Sequence, residues 1–114
     1  MKYLISCLLI FSYIKAFDYK LTPIKLNENS YYFYGKEEYF SSLNAGDISN
    51  VSFIITQNSV ILIDTGSSYE YGLQIKEAIQ KVTKNPIKYI INTHHHPDHF
   101  LGNSAFTQSD IFAT

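Results

Sequence analysis

Short apolar runs separated by polar segments follow one another from residue 19 to residue 64, and this pattern predicts β-strands. The last two runs flank the polar pair Asn58-Ser59, which favours an antiparallel hairpin. Because residues 61–63 do not alternate with polar residues, the fourth strand is expected to be buried on both faces. The runs read, in order, YKLTPIKL, SYYFYG, VSFIIT and VILID.

A helix is predicted next, from about Ser68 to Val82, because its apolar positions recur at the spacing of one helical face. Pro86 ends this helix, since the residue before a proline disfavours the α region. A strand ending at Asn92, a short helical turn and the start of another strand follow. This order of elements predicts the α/β (α+β) fold class. The apolar face comprises Ile75, Ala78, Ile79 and Val82, and the later segments read IKYIIN, LGNSAF and DIFAT.

All four histidines of the chain lie within six residues of the stretch INTHHHPDHFLGN, directly after the strand that ends at Asn92. In an extended segment, residues i and i+2 point to the same side, so His94 and His96 are expected to face one space. His95 then points away, and an ordinary solvated histidine is the preferred interpretation for it. Loops at the carboxyl ends of strands are where α/β sheets usually carry their chemistry.

Pro97 is expected to bend the chain so that Asp98 and His99 return toward the same space. Three imidazoles and one carboxylate suit Zn²⁺, whereas four ligands exceed the three that one catalytic zinc usually takes. The pattern therefore predicts two neighbouring metals, the first held by His94 and His96 and the second by Asp98 and His99. A hydroxide between them would be the nucleophile. A solvated histidine-rich turn or an adventitious metal binder is the alternative.

The net charge and residues 1–16 limit which partners and which cellular location are expected. Nine lysines, no arginine and ten acidic residues give a net charge of −1, which argues against nucleic acid as a partner. Residues 1–16 resemble a signal peptide: Lys2 precedes an apolar run of about twelve residues, and Ala16 is a plausible cleavage residue. A membrane span needs roughly 20 apolar residues, so an uncleaved anchor is the less favoured alternative. Residues 17–114 would then be a periplasmic or secreted domain with no stable membrane anchor.

The two motifs THHHPDH and ILIDTG together resemble the metallo-β-lactamase fold superfamily. The finer pattern, NAGDISNVSFII with LIDTGSSYEYGLQIKEAIQKVT and INTHHHPDHFLGNSAF, is most similar to exported zinc metallohydrolases of quinoprotein relay systems, relatives of SoxH-like proteins. Many hydrolases of the superfamily have a Gly-Gly pair after the histidine motif, where this chain has Gly102-Asn103. That difference favours the relay-type branch over glyoxalase II or lactonase enzymes.

The resemblance implies the N-terminal half of an αββα sandwich with a metal site at one edge of its sheets. The ligands that carry over are His94, His96, Asp98 and His99. Asp64 carries over as the carboxylate that braces the motif loop, with turn capping as an alternative or additional role. Gly66 would occupy a turn position that needs a backbone without Cβ. The remaining ligands would come from the C-terminal half of the fold.

The function so implied is an exported metal-dependent hydrolase of a small-molecule substrate, with one or two Zn²⁺ ions, although Fe or Mn fits the same donors. Asp98 would be its catalytic residue, orienting the hydroxide and accepting its proton. A quinoprotein dehydrogenase system is the expected partner. Two alternatives stand beside this hypothesis. One is a β-lactamase in the narrow sense, and the other is a half-domain of 114 residues without activity on its own.

Overall fold

The computed structural model describes residues 15–113, so the predicted signal peptide lies outside the described residues except for its last two positions. Within that range no helix is both long and apolar enough to cross a membrane. In residues 15–113, six strands and two α-helices form a mixed α/β fold, which confirms the predicted fold class. The elements are β1 (Ile24–Lys25), β2 (Ser30–Phe33), β3 (Val51–Ile55), β4 (Val60–Ile63), α1 (Tyr69–Val82), β5 (Ile87–Asn92), α2 (Pro97–Phe100), a 3₁₀ helix (Leu101–Ala105) and β6 (Asp110–Ala113).

The strands form one sheet in the order β1-β2-β3-β4-β5-β6. Strands β1 to β4 pair antiparallel, and β3 and β4 are joined by the hairpin that the sequence predicts. Strands β4, β5 and β6 pair in parallel, which requires a crossover connection, and α1 supplies the first one. The carboxyl ends of β4 and β5 therefore lie side by side at the same edge of the sheet.

The core lies between α1 and one face of the sheet. Phe53, Leu62 and Ile90 are neighbours across β3, β4 and β5 and belong to one buried cluster with Ile75 and Ile79 of α1. Ser68 caps the helix, since its side chain accepts a hydrogen bond from the Tyr71 N–H. Most of the predicted apolar helix face is buried as expected, but Val82 in the last turn is 37% exposed.

The opposite face of the sheet carries apolar side chains that the described residues leave partly open. Ile54, Ile91 and Phe112 are 37%, 43% and 57% exposed, and Ile61 and Ile63 are half-buried. Strand register places these five residues on one face, because Ile54 pairs with Ile61, and Ile91 pairs with Ile63 and Phe112. The expectation that β4 is buried on both faces was therefore wrong: only its α1 side is fully enclosed.

The segment between β2 and β3 is tied to the core through Asp47, which is 6% exposed. Its carboxylate accepts a 3.0 Å hydrogen bond from the buried Tyr71 hydroxyl. Burial raises the pKa of Asp47 above its ordinary value of 3.8, a nearby Glu38 adds to the rise, and the Tyr71 hydrogen bond and Lys36 oppose it. Burial also raises the pKa of Tyr71, so the phenol stays protonated and remains the donor.

We expect Asp47→Asn to raise the free energy of unfolding at neutral pH, because the raised pKa means that the ionised carboxylate costs the folded state stability. In the wild type the stabilising effect of the protonated form is complete below pH 3.8 and is lost as the pH rises through the folded-state pKa. The advantage of the variant should thus shrink toward acid pH. Urea unfolding between pH 4 and 8 measures the difference in the free energy of unfolding between variant and wild type. The control is Asp18→Asn, a substitution at an exposed aspartate. A variant that is less stable than wild type at every pH would contradict the expectation.

Candidate metal centre

The histidine segment and the turn after β4 meet because their strands are adjacent and parallel. Ile63 pairs with Ile91, and the Asp64 N–H donates to the Ile91 carbonyl at 2.9 Å. The Thr65 N–H donates to the His99 carbonyl at 2.8 Å. Backbone hydrogen bonds therefore hold the turn after β4 and the motif loop together, independently of their side chains.

Asp64 is the centre of this junction and is 3% exposed. Its Oδ1 accepts from the Thr93 N–H at 2.8 Å, and its Oδ2 accepts from the Thr93 hydroxyl at 2.8 Å. The residue has a φ of 64°, a region that non-glycine residues rarely adopt. Gly66 follows with a φ of 82°, and a Cβ there would overlap the Tyr71 ring. Asp64 thus caps the loop backbone in addition to contacting a histidine.

That histidine is His99, whose Nδ1 lies 2.7 Å from Asp64 Oδ2. A carboxylate only accepts hydrogen bonds, so Nδ1 carries a proton, and in the neutral ring the lone pair is then on Nε2. His99 Nε2 in turn lies 3.4 Å from Asp98 Oδ2. An imidazole nitrogen and a carboxylate oxygen therefore lie close together, and both are ligand types that suit a divalent cation.

His94 and His96 form a second pair of donors. His94 Nε2 lies 3.2 Å from His96 Nδ1, and the ring centroids are 4.7 Å apart. The Thr93 hydroxyl donates to Asp64 and therefore accepts a hydrogen bond from His94 Nδ1–H, 2.9 Å away, so that in the neutral ring the lone pair is on Nε2. The rings of His94 and His99 are 4.0 Å apart, so the two pairs are contiguous.

His95 is exposed, although its ring lies 5.3 Å from that of His96. Pro97 does not act as the expected bend. It is the first residue of α2, where its fixed φ suits the helix, and His96 is the N-cap residue. The turn of this helix, rather than a kink at proline, brings Asp98 and His99 back toward His94.

Sequence reasoning did not single out several side chains that hold the loop. The Ser49 hydroxyl donates to the Asp98 carbonyl at 2.6 Å, and Thr93 joins Asp64 to His94. Asn92 and Asn103 bond to each other, as described below. A usable signal was available for Asn92, because a polar amide at a core-facing position of a strand requires a buried partner.

The distances within the two donor pairs fit the metal that the donor types suggest. Two nitrogens bound to one tetrahedral zinc at roughly 2.0–2.1 Å lie about 3.3 Å apart. Both pairs, at 3.2 and 3.4 Å, match that edge length. Within residues 15–113, however, no three His, Cys, Asp or Glu side chains converge on a single point. The residues therefore fit a metal as two open pairs of ligands, and any further ligands would complete each coordination shell.

We expect Asp64→Asn to weaken zinc binding by the full-length protein roughly 10–100-fold. The amide keeps an acceptor for the Thr93 N–H but turns an N–H₂ group toward His99 Nδ1–H. The ring must then adopt the other tautomer, which places a proton on the Nε2 that faces Asp98. A zinc titration against a competing chelator measures the effect, with Asp110→Asn at the start of β6 as the control. Equal affinity in both variants would remove Asp64 from the metal centre.

Comparisons with known proteins identify the family of the chain and its fold. A family model described as the metallo-beta-lactamase superfamily matches residues 44–113, which include Asp64 and the whole histidine segment. A linear primary-alkylsulfatase from Pseudomonas sp. (strain ATCC 19151) is 37% identical over 51 residues, which are 45% of this chain and 10% of that protein.

Solved structures share the fold. The metallo-β-lactamase FIM-1 from Pseudomonas aeruginosa, in its mono-zinc form, has a TM-score of 0.67 at 24% identity, over 82% of this chain and 42% of that one. A metallo-β-lactamase from Hirschia baltica has a TM-score of 0.67 at 21% identity, over 82% and 43%. The chain thus spans less than half the length of these relatives. Because the family model matches more than half of the chain, the protein belongs to the metallo-β-lactamase superfamily.

Proposed function

We propose that the full-length protein is a metal-dependent hydrolase. The observation that carries this proposal is the pair of donor sets at the carboxyl ends of β4 and β5. His94 and His96 present nitrogens 3.2 Å apart, and Asp98 and His99 present an oxygen and a nitrogen 3.4 Å apart. Each of the two adjacent donor pairs has the spacing of two ligands of one metal. The superfamily supplies the reaction class.

These residues would hold one or two Zn²⁺ ions, with Fe and Mn as alternatives that the same donors accept. When bound, such an ion polarises a scissile carbonyl or ester and makes water a better nucleophile. The chain's own contribution is orientation. Asp64 sets the tautomer of His99, and Thr93 sets that of His94. Asp98, with its side chain 24% exposed, is open to an attacking water and would orient it and accept its proton.

For the substrate we propose a small molecule with a scissile ester, and the alkylsulfatase relative supports a sulfate ester as one class. The β-lactam alternative has less support, since the lactamase structures, at 21–24% identity, share the fold alone. The chain covers only part of each relative, so the activity of the whole protein belongs to the proposal. For residues 1–114 alone, with two ligands per metal and an open sheet face, we propose no activity.

The proposed setting is the periplasm or the cell exterior, after cleavage of residues 1–16. A quinoprotein dehydrogenase system is the proposed partner, and it rests on the motif resemblance and on Gly102-Asn103 in place of Gly-Gly. The proposal that the protein belongs to the relay-type branch rests on the same residues. The relatives described above are an alkylsulfatase and β-lactamases.

A substrate panel tests this function. The full-length protein, stripped of metal and then reloaded with zinc, iron or manganese, is assayed with p-nitrophenyl acetate, dodecyl sulfate and nitrocefin. Turnover of either ester that depends on reloading supports the proposal, and turnover of nitrocefin alone assigns the protein to the β-lactamases instead. The isolated 114-residue chain serves as the comparison. Metal-independent turnover, or none with any metal, overturns the proposal.

A further inference from the structure

Two asparagines close the base of the histidine loop. Asn92 is the last residue of β5, and Asn103 lies in the 3₁₀ helix. Asn103 Nδ2 donates to Asn92 Oδ1 at 2.7 Å, and Asn92 Nδ2 donates to Asn103 Oδ1 at 3.2 Å. The Thr65 hydroxyl adds a third hydrogen bond, to Asn103 Oδ1, at 2.8 Å. The reciprocal pair is joined in this way to the turn that follows Asp64.

This network is buried as well as bonded. Asn92 is 3% exposed and Thr65 is fully buried, while Asn103 is partly buried. Buried amides are costly unless their groups are paired, so the three hydrogen bonds constrain each partner tightly. Removing one partner would leave the others with buried, unpaired groups, at the cost typical of a lost acceptor or donor.

The position of the network connects it to the metal centre. Residues 93–102 lie between the two asparagines and contain all four candidate ligands. Asn92 directly precedes Thr93, which contacts Asp64 and His94. Asn103 directly follows Gly102, whose N–H donates to the Gly66 carbonyl at 3.1 Å. A shift at either asparagine would therefore move one end of the ligand-bearing loop.

We propose that Asn92, Asn103 and Thr65 are positioning residues, a clamp that holds the base of the loop so that its histidines keep the spacing needed for a metal. The inference rests on the proposed function. It gives a role to the Asn103 side chain, whose amide bonds to both Asn92 and Thr65.

Asn103→Asp tests the clamp with the smallest change. The carboxylate still accepts from Asn92 Nδ2 and from the Thr65 hydroxyl, but its second oxygen now faces Asn92 Oδ1, an acceptor against an acceptor. Two of the three hydrogen bonds therefore survive, while the distance between the second carboxylate oxygen and Asn92 Oδ1 must increase. We expect cobalt(II) affinity of the full-length protein to fall about 10-fold and the visible absorption bands of the bound cobalt to change.

A second pair of variants keeps the test decisive if the aspartate variant does not fold. Thr65→Val keeps the shape but removes the hydroxyl, and Thr65→Ser restores it, so affinity should fall in the first and recover in the second. Asn85→Ala is the matched control. Asn85 Nδ2 donates to the Thr56 carbonyl at 2.9 Å, at the opposite end of the same sheet. It should lower stability without altering cobalt binding.

Histidine ring NMR signals of the metal-free protein give a readout that needs no metal. Changed signals for His94, His96 and His99 in Asn103→Asp and Thr65→Val, with unchanged signals in Asn85→Ala, support the clamp. Unchanged signals and cobalt affinity in variants that are as destabilised as the control overturn it. If the wild type takes up no cobalt, the proposed function fails, and the ring signals still decide whether the clamp positions the histidines.

Discussion

Replacing His96 with alanine is expected to lower the metal affinity of the full-length protein by more than about 100-fold and to abolish the activity that depends on metal. Loss of a residue that only orients a ligand costs roughly 10–100-fold, so loss of a ligand should cost more. His96 Nδ1 is the partner of His94 Nε2 at 3.2 Å, and its removal leaves that site with one nitrogen from this chain. Because His96 is exposed, the fold should be unaffected.

The adjacent residue provides the control. His95 is also an exposed histidine, differs by one position, and contributes to neither donor pair. His95→Ala should therefore retain metal affinity, activity and thermal stability. Zinc affinity by chelator competition, with unfolding temperature measured in parallel, separates the two variants. Equal losses in both would mean that the segment binds metal as a histidine-rich surface, without a defined site.

The strands and the helix were predictable because each carries its own local signal. The apolar runs around Phe53 and Leu62 predict strands, the helical spacing of Ile75 and Ile79 predicts a helix, and all four residues lie in the core. The exposed side of β4 was not predictable in the same way, since Ile61 and Ile63 are as apolar as Leu62. Periodicity reports which residues are apolar and is silent on whether a covering layer is present.

In the candidate site, too, local features could be predicted from the sequence and contacts between distant residues could not. The spacing of the histidine motif is local, so the approach of His94 to His96 could be predicted from an extended segment, although both lie beyond the end of β5. The partners of the motif are distant in sequence: Asp64 is 35 residues from His99, and Ser49 is 49 residues from Asp98. Asp64 was found only through its resemblance to a known motif. Ser49 belongs to a polar segment in which many residues could have served, and only the fold selects it.

Gly102→Ala is expected to cost about 3 kcal/mol or more of unfolding free energy, because the clash it creates is with backbone that cannot rotate away. A Cβ at residue 102 would overlap the Thr65 carbonyl oxygen and lie 3.1 Å from the Ser68 carbonyl oxygen. The Gly102 carbonyl is also packed against α1, where a Cβ on Gly72 would lie 2.6 Å from that oxygen. The 3₁₀ helix is therefore packed against both the turn after Asp64 and α1, and a Cβ at residue 102 fits only if this helix moves away from them.

The same substitution should also weaken metal binding, since Gly102 separates the turn after Asp64 from the loop that carries His99. Moving the 3₁₀ helix outward would lengthen the 3.1 Å hydrogen bond from the Gly102 N–H to the Gly66 carbonyl and the 2.8 Å bond from Thr65 to Asn103. Chemical denaturation and a zinc titration of the full-length protein measure the two losses. Ser104→Ala, an exposed position in the same 3₁₀ helix, should stay within about 0.5 kcal/mol of wild type. A Gly102→Ala protein as stable as that control would show that the loop can separate from the turn, and the rigid junction inferred for the metal centre would be wrong.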